Sequence, residues 1–306
     1  MIANTDLYLL RTVIAKRPYI FIFAFVIMIA IISSCEKLEV QLSPYCDKVF
    51  EYTPAPGQFI NMEAIATPEE ACAYAQRILD ADSPLSLGGF GGYIVVGFDH
   101  SIEDNGGYSL AIRSNVHEMA AEPGIVYVMR DTNGNGRPDD VWYELKGSEY
   151  GQPGTLRDYS VTYFRPSGPG SDVVWLDNLG NFGAIDYMPA FHQQDYYYPA
   201  WIAAGSYTLS GTRLEARNED VNGDGSLWDN KPYDWGYVDN LSPVDMQDGY
   251  NCFRLSDAVD ASGNAVHLEK IDFVKVQTAV NTKSGWTGEL STEVAGIADY
   301  KLLFEQ

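Results

Sequence analysis

The chain has 306 residues and carries 42 Asp and Glu against 20 Lys and Arg, a net charge of −22. That acidity excludes binding through nucleic-acid phosphates and flat adhesion to an anionic bilayer, since both surfaces would be repelled. It suits a body that binds cations, and the length allows one large β domain or two small ones with a sizeable core.

The first segment reads as an export signal. Arg11, Lys16 and Arg17 precede an apolar run from Ile20 to Ile32, and Ser33-Ser34-Cys35 follows at once. Basic residues, an apolar stretch and a small-residue cleavage site are the parts of a secretory signal peptide, here residues 1–34. The run falls short of the roughly 20 residues a bilayer span needs. A cysteine directly after the small pair resembles a lipobox, in which cleavage leaves Cys35 at the new N-terminus with its thiol acylated. Removing that signal leaves a body more acidic still.

Residues 35–60 read as a tether, because Pro44, Pro54, Pro56 and Gly57 interrupt any regular element. Thr67-Pro68-Glu69-Glu70 then starts a helix that ends near Asp80, with Thr67 as N-cap, proline at the first position and acids in the first turn. Ala71, Cys72, Tyr74, Ala75, Ile78 and Leu79 recur at helical spacing and form its apolar face. Beyond it the pattern is β, with strands expected at 93–98, 125–129, 141–145, 159–164, 173–176, 206–209, 271–276 and 300–304. Many short strands separated by turn residues predict an all-β fold, a jelly-roll-like β-sandwich with one short N-terminal helix, forming a single domain over 61–306.

Two loops have the residue types of a calcium site. Asp131, Asn133, Asn135 and Asp139 fall at positions 1, 3, 5 and 9 of one loop, with Gly136 at the sharp turn and the carbonyl of Arg137 at position 7. Calcium takes six to eight hard oxygen ligands, and alternate residues of a tight turn converge on one point. Trp142 stands where an EF-hand would have its glutamate, and the flanks read as strands, so the pattern resembles the strand-loop-strand calcium loops of extracellular β proteins. Asp220, Asn222 and Asp224 repeat it, with Asp229 one residue late for the fourth ligand. The alternative for both is a long β-turn in which Asn, Asp and Gly serve turn chemistry alone.

Aromatic residues cluster around the second loop. Tyr196, Tyr197, Tyr198 and Trp201 precede it; Trp228, Tyr233, Trp235 and Tyr237 follow, interleaved with Asp and Asn. Flat rings beside hydrogen-bonding side chains suit a sugar or a large planar ligand, and they equally suit a β-sandwich core. His100 and His117 read as turn or core histidines rather than general bases. No nucleophile, zinc or phosphate-loop motif is present. With Cys35 acylated, Cys46, Cys72 and Cys252 remain; Cys72 reads as a core residue, and an exported protein allows a Cys46–Cys252 bridge.

Residues 52–59, 88–100, 122–128, 142–150, 234–240 and 271–293 together resemble the cell-surface lipoproteins of Bacteroidetes that are labelled cell-surface or PKD-domain-containing proteins. The resemblance covers nearly the whole chain after Cys35. It implies a lipid-anchored, surface-exposed protein of the outer membrane that accompanies uptake systems, including those for cobalamin, and it implies no chemistry. The function expected is therefore capture of a glycan or corrinoid for a TonB-dependent transporter by a calcium-stiffened sandwich. An adhesin for host or matrix protein and a glycan-cleaving enzyme are the alternatives.

Overall fold

A computed structural model describes residues 41–305. The signal peptide and the acylated Cys35 expected above lie outside the described residues. In chain order the strands are β1 (Lys48–Thr53), β2 (Leu85–Ser86), β3 (Tyr93–Glu103), β4 (Leu110–Arg113), β5 (Gly124–Met129), β6 (Trp142–Leu145), β7 (Leu156–Phe164), β8 (Val173–Asp177) and β9 (Phe182–Ile185). They continue as β10 (Ser206–Arg213), β11 (Asn218–Asp220), β12 (Trp228–Asn230), β13 (Met246–Gln247), β14 (Tyr250–Phe253), β15 (Ala258–Val259), β16 (Lys270–Thr278), β17 (Glu293–Val294) and β18 (Gly296–Asp299). Two helices accompany them, α1 (Pro68–Asp80) and α2 (Tyr300–Phe304). The fold is all-β, and its sheets are antiparallel.

A six-stranded sheet, ordered β1-β3-β16-β5-β6-β15, faces a four-stranded sheet, ordered β13-β14-β4-β18. Period-2 alternation decides which side chains meet between them. Ile94 and Val96 of β3, Val126 and Val128 of β5, and Val274 and Val276 of β16 pack with Leu110 and Ile112 of β4, Phe253 of β14 and Ile297 of β18. The outer face of the four-stranded sheet, with Ala111, Tyr250 and Cys252, is covered by Tyr300, Leu303 and Phe304 of α2. On the far face of the six-stranded sheet, Lys275 lies over the rings of Tyr93 and Tyr127 at 4.5 and 5.1 Å, and burial pushes its amine down to about 8. Strand β10 crosses that face: Gln277 donates to the Ser210 carbonyl at 3.1 Å, and Thr212 N–H donates to the Tyr127 hydroxyl at 3.3 Å. It brings a second four-stranded sheet, β10-β7-β8-β9, whose core of Tyr159, Val161, Tyr163, Val173 and Ile185 packs on Phe90.

α1 forms as expected. The Thr67 hydroxyl accepts the Glu70 N–H at 3.2 Å, Pro68 opens the helix, and Ala71, Ala75 and Leu79 are buried. Two expectations change. The 35–60 segment is folded well before its end: β1 pairs along β3, and Tyr52, Ala55 and Gly57 are buried. Its prolines flank the strand rather than break it. Residues 300–304 are helical, not extended, because Asp299 accepts the Lys301 and Leu302 N–H groups at 2.8 and 3.2 Å and so caps a turn. Tyr300, Leu303 and Phe304 then share a face at i, i+3, i+4 spacing.

The Cys46–Cys252 bridge does not form; the described cysteines are all free thiols. Tyr45 bridges to Ala298 of β18, Ala298 pairs with Ala111 of β4, and Ala111 pairs with Cys252 of β14. Three strand spacings, roughly 14 Å at about 4.8 Å each, separate the two ends of that row. A disulfide needs Cα atoms within about 7 Å. Among the described residues no helix is long and apolar enough to cross a membrane.

Candidate functional site

Loops from distant parts of the chain enclose a cleft of about 810 Å³. Its walls come from the segment after β1, the turn before β5, the β11–β12 hairpin and the connection into β17, contributing Gln58, Glu122, Trp228 and Glu289 among others. The rim is aromatic and open to solvent: Phe59 is 48% exposed, Phe191 55% and Trp286 53%. Phe191 and Trp286 pair at 5.9 Å, and Phe59 meets His192 at 4.3 Å. Exposed rings of this size facing a cavity present apolar area to a partner.

Trp228 owes its position to a glycine. Gly285 has φ +54° and lies against the indole, so a Cβ there would come within 1.9 Å of Nε1. Both the dihedral and the contact demand glycine. The Trp228 Nε1–H is buried with no acceptor, whereas Trp286 Nε1 donates to the Ser226 carbonyl at 3.3 Å and ties the rim to the hairpin.

The floor is acidic. Glu122, Asp239 and Glu293 each bring one carboxylate oxygen within 4.8 Å of the others, an arrangement that can hold a metal ion. Backbone pairing sets them there. Val238 bridges Gly124, placing Asp239 beside Glu122, whose N–H donates to the Asp239 carbonyl at 2.9 Å. Glu293 enters on β17, paired to Ser86 of β2, and its N–H donates to Asp239 Oδ2 at 2.8 Å. Asp239 holds φ +56°, a left-handed conformation unusual for a residue other than glycine. Burial, with the like charges of its neighbours, raises each of the three carboxyls, Glu122 to about 8 and Asp239 and Glu293 well above the carboxylate range. Higher on the wall, Glu289 accepts the Gln58 N–H at 2.6 Å and the Gln58 amide at 3.1 Å. Burial nonetheless lifts its carboxyl to about 7.

The first Asp/Asn/Gly loop joins β5 to β6, so it is a strand-loop-strand element as expected. Its side chains converge in part. Asn133 and Asn135 donate to Asp139 at 2.9 and 3.0 Å, and these bonds hold the Asp139 carboxyl below its ordinary value. Asp131 folds over its own turn, accepting from the N–H groups of Gly134, Asn135 and Gly136. Asp131 and Gly136 border a smaller pocket with His100 and Asp272, away from the cleft. His100 there sits between Asp99 at 2.6 Å and Asp299 at 3.2 Å.

The second loop is the turn of the β11–β12 hairpin and forms a cleft wall. Asp220 accepts from Gly223 and Gly225, Asp224 from Ser226 N–H, and Asn222 donates to the Ser226 hydroxyl. Asp229 does not join them. It pairs with Glu219, one step from the Asp220–Trp228 pair, so alternation turns it to the opposite face of the ribbon.

Of the rings expected to make the contact, Trp228 alone lines the cleft. Tyr197, Tyr198, Trp201, Tyr233 and Tyr237 are buried structural residues instead. The chain at 195–198 bends rather than running as a strand, so consecutive tyrosines both turn inward. Their hydroxyls are used locally: Tyr197 donates to the His192 carbonyl, Tyr198 to Ala204, Tyr233 to Glu215, and Tyr237 accepts from Glu149 N–H. Trp201 stacks on Tyr52 at 5.9 Å. Tyr196 is half-buried outside the cleft, and Trp235 borders a separate small pocket with Asp245. His117 lines the cleft with Nδ1 3.0 Å from the Glu118 carbonyl.

The floor carboxylates and the Phe59, Phe191 and Trp286 rim were not legible as a site. The one trace is an acid inside an apolar stretch, as Glu293 is in 290–298 and Asp239 is after Val238. No protein-family model matches the chain, and no curated protein matches it.

Proposed function

We propose that this is an exported, lipid-anchored cell-surface protein that captures a ligand in the 810 Å³ cleft, for delivery to a TonB-dependent transporter. The cleft carries the reading. A flat apolar patch would favour an adhesin; a concave site with an aromatic rim and a polar floor favours a compact ligand. The floor and wall offer the carboxyl groups of Glu122, Glu293 and Glu289, which can exchange hydrogen bonds with the hydroxyl or amine groups of a ligand. A glycan, with C–H faces for the rings and hydroxyls for the carboxylates, fits this best, and a corrinoid is the second ligand class. The resemblance to Bacteroidetes surface lipoproteins supports the anchoring and the uptake role.

Calcium belongs to the same reading. Asp131, Asn133, Asn135, Asp139 and the Arg137 carbonyl would hold one ion, and Asp220, Asn222 and Asp224 a second. The second would stiffen the hairpin from which Ser226, Leu227 and Trp228 reach the cleft.

Calorimetry of the full chain against a glycan panel and cobalamin, with calcium present, tests the proposal. One ligand class should bind, and Trp286→Ala should weaken it about tenfold, the loss expected from one stacking ring. Silence from every compound overturns it. A glycan-cleaving reading draws on the raised carboxyl of Glu122, a proton donor near neutral pH. Release of reducing ends from the panel would favour that reading.

A further inference from the structure

The geometry points to a hard divalent cation held by Glu122, Asp239 and Glu293 at the floor of the cleft. The carboxylates converge from three chain segments, with an oxygen of each within 4.8 Å of the others. Asp239 is 1% exposed and Glu293 6%. Gathering acids in a dry place is costly unless positive charge or hydrogen-bond donors offset them.

Neither is supplied in full. Among the described residues no Lys, Arg or His forms an ion pair with any of the three. Asp239 Oδ2 accepts the Glu293 N–H, and the Ser114 and Ser291 side chains lie close enough to Asp239 and Glu293 to favour their charged forms, but Asp239 Oδ1 and Glu293 Oε1 are buried without a hydrogen-bond partner. A cation between the carboxylates gives both oxygens a partner and replaces the missing counter-charge.

The donor set fixes the class of ion. All donors are carboxylate oxygens, with no thiolate and no imidazole in the cluster. Oxygen-only anionic sites suit calcium, manganese or magnesium and disfavour copper and zinc. Three carboxylates leave part of a six- to eight-fold shell unfilled. Glu122 and Glu293 both line the cleft, so the open positions face it. An oxygen of the captured ligand would complete the shell. That last step rests on the ligand-capture reading; the cation site itself does not.

The test is metal counting on the full chain in detergent, by Mn²⁺ titration followed by electron paramagnetic resonance. A double variant, Asp131→Asn with Asp220→Asn, removes the leading ligand of each exposed loop. It should keep one Mn²⁺ site, and adding Glu293→Gln should abolish that site. If Glu293→Gln does not fold, Glu122→Gln at the half-buried position serves in its place. A double variant that binds no Mn²⁺, or a remaining site indifferent to both glutamate substitutions, overturns the proposal and assigns the cluster to shared protons. Either result leaves the calorimetric test of ligand capture standing on its own.

Discussion

Glu289 shows how one buried side chain sets a pH response. It is 7% exposed and accepts two hydrogen bonds from Gln58, which favour the charged form. Burial outweighs them, assisted by the charge of Asp186, and the carboxyl moves from 4.5 to about 7. Between those values the folded chain keeps a proton that the unfolded chain has released. The stability this group confers is therefore full below about 4.5 and is lost as pH rises through about 7. At about 1.4 kcal/mol per unit, the loss is on the order of 3 kcal/mol. Glu289→Gln should flatten the fall in melting temperature between pH 5 and 7.5, measured with a chelator present; an unchanged slope would refute the assignment. Nothing in the residues around position 289 announces this. The shift arises from burial among segments distant in the chain, and even the hydrogen bonds that oppose it come from Gln58, 231 residues away.

Among elements, the two helices separate local from non-local information. α1 carries its own start signal in Thr67 and Pro68 and its own apolar face, so its sequence suffices to place it. Removing the cap by Thr67→Ala should cost about 1 kcal/mol. Ile94 of β3 is wholly buried between the facing sheets, and Ile94→Ala should cost about 2–5 kcal/mol through lost burial and a cavity. Urea titrations of both variants would check the contrast; equal losses would contradict the layering. α2 is the opposite case. Tyr-Lys-Leu-Leu-Phe is apolar enough for a strand, and only Asp299 as a cap and the apolar outer face of β4 and β14 make it a helical turn. The same limit hid β1, whose flanking prolines disguise a strand made stable by β3.

For the molecule as a whole, strand order decides chemistry that composition leaves open. The export expected from the sequence would invite a disulfide among the cysteines, yet β18 and β4 stand between Cys46 and Cys252. A reducing agent should leave the melting temperature unchanged, and alkylation in denaturant should label Cys46, Cys72 and Cys252 without prior reduction. Protection of Cys46 and Cys252 from label would contradict the strand order. The cleft is a property of the same scale. Its floor joins positions 122 and 293, with Asp239 buried beside them, and its rim joins 59, 191 and 286.

Alternation, turn chemistry and capping are local, and from them the sequence alone determined the all-β class, helix α1, the principal strands and the turn-forming Asp/Asn/Gly loops. Tertiary structure decided which of many aromatics face solvent and which of 42 acids meet. The reason is physical. A side chain's exposure and the field around a carboxylate depend on neighbours brought together by sheet pairing, and pairing between distant strands leaves no mark in the residues near either one.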